Sequence, residues 1–384
     1  MLMQRRIWAV YAGGFLLAVH YASVAYVNSS LLSKFAGDSL VSLLYVGGSI
    51  LSLILLGLAP FMLRKFGNIA TLLLFVGLEI IAVFGMRSAT LALLVFVLFL
   101  IHQAAESMLY FSLDVSLEHE TQSEGSTGSK RGVFLTVQNI AWVLSPLALA
   151  ALTKGANFGN AYLLSGIALI PLFIIGLFIL RRAGDSRTHT AHLLPAIKSL
   201  RGNWDKARII GTQFVLQFYF SWMIIYLPLL LNQDLGFGWD KIGIIFTIML
   251  LPYLLFEFPT GLLADKKIGE KEFLIFGFLI MVVATAVIPL IESPTLWIWA
   301  GLLFITRIGA SMVEIASETY FFRQVKDRDT GLISLFRMAR PLSFILAPLI
   351  AIPVLYFTSY GTSFLILAVL TLSGLLFIPK KDTR

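Results

Sequence analysis

The sequence contains no cysteine. That removes disulfide bridges, thiolate metal sites and cysteine nucleophiles together. Histidine is scarce, five residues in 384, and none falls at metal-ligand spacing. No glycine-rich phosphate loop, H-E-x-x-H helix or G-x-S-x-G elbow occurs. Hydrolysis of ATP is not expected, nor is any cofactor or metal, and an intramembrane enzyme would have only His102 and Glu106 to work with. Charged residues are thin at 13%, against 58% hydrophobic and a mean hydropathy of +0.88. Soluble domains do not have this composition.

What is present is apolar sequence in long runs. Segments near the ~20 residues that span a bilayer as a helix fall at 7–32, 41–63, 69–86, 91–113, 133–152 and 161–180, then at 209–231, 242–263, 273–291, 296–320, 332–357 and 363–378. These runs predict an all-α integral membrane protein of twelve transmembrane helices in two bundles, 1–180 and 209–384, joined by a linker at 181–208. The linker is basic and places Leu193, Leu194, Ile197 and Leu200 at helical spacing, which predicts an interfacial helix on anionic lipid. The net charge of +8 does not point to nucleic acid, because the basic residues fall in alternate loops. Arg5, Arg6, Arg64, Lys65, Lys130, Arg131, the linker, Lys266, Lys271 and the C-terminal lysines all share one side. By the positive-inside rule both termini are expected in the cytoplasm, with the chain in the cell membrane. The short basic start and the long apolar run behind it do not read as a cleavable signal.

The two sets of six repeat at an offset of about 200 residues. Ile101, Ser107, Met108 and Asp114 stand in register with Ile305, Ser311, Met312 and Glu318. Tyr26 pairs with Tyr226, and the turn Arg64-Lys-Phe-Gly67 with Lys266-Lys-Ile-Gly269. The second turn belongs to a longer string, Gly261-Leu-Leu-Ala-Asp265-Lys266-Lys267-Ile-Gly269-Glu-Lys271. It resembles the loop signature G-x-x-x-D-[RK]-x-G-[RK]-[RK] of the major facilitator superfamily of secondary transporters, with one extra residue. The first-half copy departs from it, with Pro60 in place of Gly and Arg64 in place of Asp. The resemblance implies two bundles around a central cavity that opens to each side in turn, lined by the first, fourth, seventh and tenth helices. It also implies a gate in which Asp265 faces Arg131. By pseudo-symmetry, Arg64 is expected to face Asp327 or Asp329.

Ionisable groups at membrane depth are costly and so carry information. Arg307, Ser311, Glu314 and Glu318 fall at i, i+4, i+7 and i+11 on one face of the tenth helix, and Gln103, Ser107, Tyr110 and Asp114 share that spacing on the fourth. Asp114 and Glu318, at the inner ends, read as solvated. Glu106, His102 and Glu314 are the candidates for carrying a proton, with His102 and Glu106 one turn apart. Arg337 and Arg340 need anions, and a network of Glu257, Glu314, Arg337 and Arg340 is the economical pairing. It either holds helices together or leaves an arginine, Arg340 above all, for an anionic substrate. Tyr21, Tyr26 and Asn28 in the first run, and Gln213, Gln217, Tyr219, Trp222 and Tyr226 in the seventh, are further cavity candidates.

Together these features predict a monomeric secondary transporter that moves a small solute by alternating access, with protons as coupling ion. The alternative is a membrane sensor or assembly factor that keeps the fold without transport. Multidrug export is disfavoured, since the fifth run has Pro146 without the Gly pair of the antiporter signature.

Overall fold

A backbone surrounded by lipid must satisfy its own hydrogen bonds, and a single helix does so locally. In a computed structural model covering residues 2–121, 127–152, 158–180, 193–266, 269–325 and 330–381, the described residues form helices and no strands. The first half holds α1 (Leu2–Val24), α2 (Asn28–Leu32), α3 (Asp38–Phe66), α4 (Asn68–Ser88), α5 (Ala92–Thr121), α6 (Thr127–Leu152) and α7 (Gly159–Ile175). A short α8 (Leu193–Leu200) precedes the second half: α9 (Trp204–Leu229), α10 (Trp239–Lys266), α11 (Glu270–Val287), α12 (Leu296–Phe322), α13 (Thr330–Arg337), α14 (Ala339–Phe357) and α15 (Tyr360–Leu372). Among the described residues, 11 helical segments are long and apolar enough to cross a membrane. The remaining expected span, 133–152, falls in α6, which packs along α1 and α10.

Two expected spans are broken. The first run turns at 25–27, where Val27 N–H bonds back to Val24 O at 3.0 Å, so α2 is offset from α1. The eleventh breaks at Met338, between α13 and α14. Pro341 explains the second break, because it has no N–H to offer the Arg337 carbonyl and its ring crowds that position. The result lets Arg337 and Arg340 take different directions. Turns are tight where glycine permits: Gly67, at φ 86°, joins α3 to α4 in a conformation that disfavours other residues. Asn68 then ties the start of α4 to α5 by donating to Ser112 O at 2.9 Å and Ser116 Oγ at 2.8 Å.

The packing repeats from half to half. In the first half α5 packs on α1, α3 and α4, while α7 packs on α1 and α4; in the second α12 packs on α9, α10 and α11, while α15 packs on α9 and α11. At Gly277 and Gly309 the backbones of α11 and α12 touch, and a Cβ built on Gly277 would lie 2.7 Å from Gly309 O. Small residues allow this close approach, which replaces the hydrophobic drive that lipid cannot supply. The halves meet along α3 with α14 and α6 with α10, and α13 also reaches α3 and α5. The linker helix α8, expected on lipid, packs against α13, with Ile197 left exposed. Large apolar side chains such as Ile81, Leu93, Val283 and Trp297 point outward, as a lipid-facing surface requires.

Candidate functional site

A cavity lies between the two halves. From the first half it is lined by Tyr26, Glu106, Ser107, Tyr110, Asp114, Gln138, Asn139 and Trp142, and from the second by Gln213, Gln217, Phe220, Tyr253, Arg307, Glu314, Glu318, Arg337, Arg340 and Phe344. Aromatic rings, amides and charges of both signs therefore share one chamber. Glu106 Oε1 lies 3.0 Å from Arg340 Nη2, joining α5 to α14. The same guanidinium sits over the ring of Tyr21 at 4.6 Å and near that of Tyr110 at 5.6 Å.

At the end that carries the chain termini, four charges close the interface. Arg131 Nη2 bonds Asp114 Oδ1 and Glu318 Oε2, both at 2.8 Å, and its Nη1 lies 3.4 Å from Glu118. Arg337 bonds the same two carboxylates, with Nε to Asp114 Oδ2 at 2.5 Å and Nη1 to Glu318 Oε1 at 2.8 Å. Both arginines face the ring of Phe322, Arg131 at 3.5 Å. Asp114 and Glu318 are 2% and 1% exposed, so their reading as solvated helix ends is corrected: the opposite half covers them. Of the expected grouping of Glu257, Glu314, Arg337 and Arg340, the ion pairs of the two arginines fall elsewhere. Arg337 takes the repeat-related pair Asp114 and Glu318, Arg340 takes Glu106, and the side chain of Glu257 lies outside the described residues. The reason is the Met338 break, which no depth count along a straight helix registers.

At the far end the contacts are softer. The rings of Tyr26 and Phe246 lie 4.5 Å apart, those of Phe158 and Trp239 5.5 Å apart, and Ser42 Oγ meets Tyr226 OH at 3.4 Å.

Of the other expected residues, Glu106, Glu314, Arg307, Arg340, Tyr26, Tyr110 and Gln217 line the cavity. His102, Gln103, Asn28, Ser311, Trp222 and Tyr226 do not. Gln103 lies against Gly48 and its carbonyl accepts from Ser52 at 2.8 Å. Ser311 bonds its own helix at Ile308 O at 3.0 Å, and Trp222 is fully buried beside Phe218 and Tyr226. His102 does not pair with Glu106, because the roughly 40° of rotation between i and i+4 turns it toward α4. There Glu79, unmarked in the sequence reading, bonds His102 Nδ1 and lies 3.1 Å from His20 Nε2. His20 Nδ1 meets Ser165 Oγ at 2.7 Å, while Asn28 joins His102 Nε2 at 3.2 Å and accepts from Tyr162 OH at 2.6 Å. The ligand atoms of His20, Glu79 and His102 lie within 4.8 Å of one another, near enough to share a metal ion. Three ligands are one short of a closed tetrahedral site, and the hydrogen bond between two of them already accounts for their approach.

In the loop signature, Gly269 precedes α11 and Lys271 lies in its first turn. The side chains of Gly261, Asp265 and Lys266, and residues Asp327 and Asp329, lie outside the described residues. Arg131, expected to face Asp265, is held by Asp114, Glu118 and Glu318. Arg64 is exposed, 5.7 Å from the Phe61 ring, without an ion pair among the described residues.

Two helical halves enclosing a charged chamber, with lipid-facing surfaces outside, define a membrane protein of transporter architecture. The Major Facilitator Superfamily sequence model matches residues 209–384. The second half of the chain is thus similar in sequence to the major facilitator superfamily, and the whole chain shares the fold of two solved transporters. The chain is similar to a solved structure of the nucleoside transporter NupG, with a TM-score of 0.74 at 13% identity over 97% of this chain and 99% of that one. It is equally similar to the human organic anion transporter MFSD10 (TETRAN), with a TM-score of 0.76 at 14% identity over 98% and 99% of the two chains. No curated protein sequence matches.

Proposed function

We propose that the protein is a secondary transporter that moves a small solute across the cell membrane by alternating access, its termini cytoplasmic and its two halves, 1–180 and 209–384, rocking about the cavity. One observation carries this reading: both halves line one chamber, and separate contacts close it at opposite ends. Rocking that breaks one set can preserve the other. The names of its structural neighbours speak of nucleosides and organic anions. Amides from Gln138, Asn139, Gln213 and Gln217 beside the rings of Trp142, Phe220 and Phe344 suit a polar solute with a flat body.

Proton coupling rests on Glu106 and Glu314, the cavity carboxylates outside the four-charge closure. Reconstitution into vesicles carrying a pH dye, tested over a broad solute panel, should show solute-dependent proton movement. A silent panel from folded protein would give the chain to the non-transporting alternative, a sensor or assembly factor. Glu106→Gln and Glu314→Gln each keep the shape and lose one titration, and at least one of them should abolish proton-driven flux; unchanged flux in Glu106→Gln would leave Glu106 as Arg340's structural partner alone.

A further inference from the structure

Ion pairing around the cavity leaves one arginine and one glutamate over among the described residues. Arg131 and Arg337 neutralise Asp114 and Glu318, and Arg340 neutralises Glu106. Arg307, at mid-length of α12, has no carboxylate within ion-pair distance among the described residues. It is 2% exposed, lines the cavity, and its Nε and Nη1 have no hydrogen-bond partner. Its guanidinium instead lies over the rings of Tyr219 at 5.5 Å and Phe220 at 5.4 Å. A guanidinium never gives up its charge at ordinary pH, and a buried cation without a counter-charge is unfavourable. Ring faces offset part of this. Tyr26 also hydrogen-bonds this guanidinium, and the unused N–H groups of Nε and Nη1, on different edges of the plane beside the chamber, are donors for a carboxylate, sulfonate or phosphate.

Glu314 lies two turns along the same face. It lines the chamber and makes no ion pair among the described residues. The charged groups acting on it are Arg307 and Glu318 on its own helix, Arg337 on α13 and Arg340 on α14, while Tyr253 from α10 lies against Arg307.

We propose that Arg307 docks the acidic group of an organic anion whose flat body lies among the cavity rings, and that the proton crossing with it rides on Glu314. This rests on the transporter reading above. Empty, Arg307⁺ and Glu314⁻ cancel. Loaded with the anion alone, the face carries one net negative charge in a low-dielectric chamber; loaded with anion and proton, it cancels again. Only the two neutral forms rearrange cheaply, so anion and proton travel in the same direction. The proton adds to a Glu314 carboxylate oxygen from the water on one side and leaves to the water on the other, with no other bond changing.

Binding tests the first half without any transport. Purified protein in detergent would be titrated with matched pairs, benzoate with benzamide, nicotinate with nicotinamide, and benzenesulfonate with benzenesulfonamide, following tryptophan fluorescence and thermal shift. The acids should bind and the neutral partners should not. Arg307→Gln should weaken acid binding about 10- to 100-fold, with Arg307→Lys in between. Neutral partners binding as well as acids, unaltered binding in a folded Arg307→Gln, or no acid binding at all would overturn the assignment. In vesicles, benzenesulfonate uptake should follow an inward proton gradient and lose that dependence in Glu314→Gln; gradient-driven uptake that persists there removes Glu314 from the proposal. Acid binding without uptake would refute the transporter reading and keep the anion site. Uptake of neutral solutes alone would do the reverse.

Discussion

At the residue scale, the buried charges divide by what happens when one is lost. Arg337 holds two carboxylates from opposite halves, and truncating it leaves Arg131 to serve both. Removing one member of a buried ionic group typically costs about 3–5 kcal/mol, here levied on the closed interface more than on either half. Arg337→Ala should therefore widen distances between spin labels on the termini-side ends of α5 and α12; an unchanged distribution would show that the network does not hold that end shut. Glu79 is different, since its partners sit inside one half. Glu79→Ala strands His20 and His102 in the bundle core and should lower thermal stability by about 2–4 kcal/mol. An unshifted melting temperature would return His102 to the candidates for proton movement. Glu79 was legible and missed: a lone carboxylate at the centre of α4 is as informative as Arg307 at the centre of α12. Arg307 is marked by its polar neighbours at i+4, i+7 and i+11, which share one face of α12. Asp114 and Glu318 were misread because depth along one helix says nothing about which other helix covers its end.

At the element scale, hydropathy located the helices well, while their interruptions came from local chemistry. The Met338 break could be read from Pro341, but the turn at 25–27 has no proline or glycine to announce it. Helix contacts left a fainter trace still. Gly309 and Gly301 look alike in sequence, yet a Cβ on Gly309 would strike Met281 N at 2.9 Å while one on Gly301 meets nothing within 4 Å. Gly309→Ala should push α11 and α12 apart and lower thermal stability in detergent by about 1–3 kcal/mol. Gly301→Ala should leave it unchanged or slightly raised. Equal melting temperatures for the two variants would mean that the backbone contact between these helices is dispensable.

At the scale of the whole molecule, the repeat visible at Asp114 and Glu318 proves to be a repeat of packing. Each helix contact named in the first half has its counterpart in the second. The absence of cysteine makes the proposed orientation simple to test, since single substitutions need no cleared background. Cysteine at Ser126 or Thr188 should react with a membrane-impermeant maleimide only from the cytoplasmic face, and at Asp38 or Glu292 only from outside; the reverse pattern would invert the topology. The two closures also differ in kind, one ionic and the other built of rings and hydroxyls. Parting the ring end wets apolar surface and raises heat capacity, whereas parting the ionic end wets charge and lowers it. Were the chamber to open at either end as proposed, the two open forms would follow free-energy curves bent in opposite senses against temperature, and warming or cooling a resting membrane would change which face of the chamber meets water.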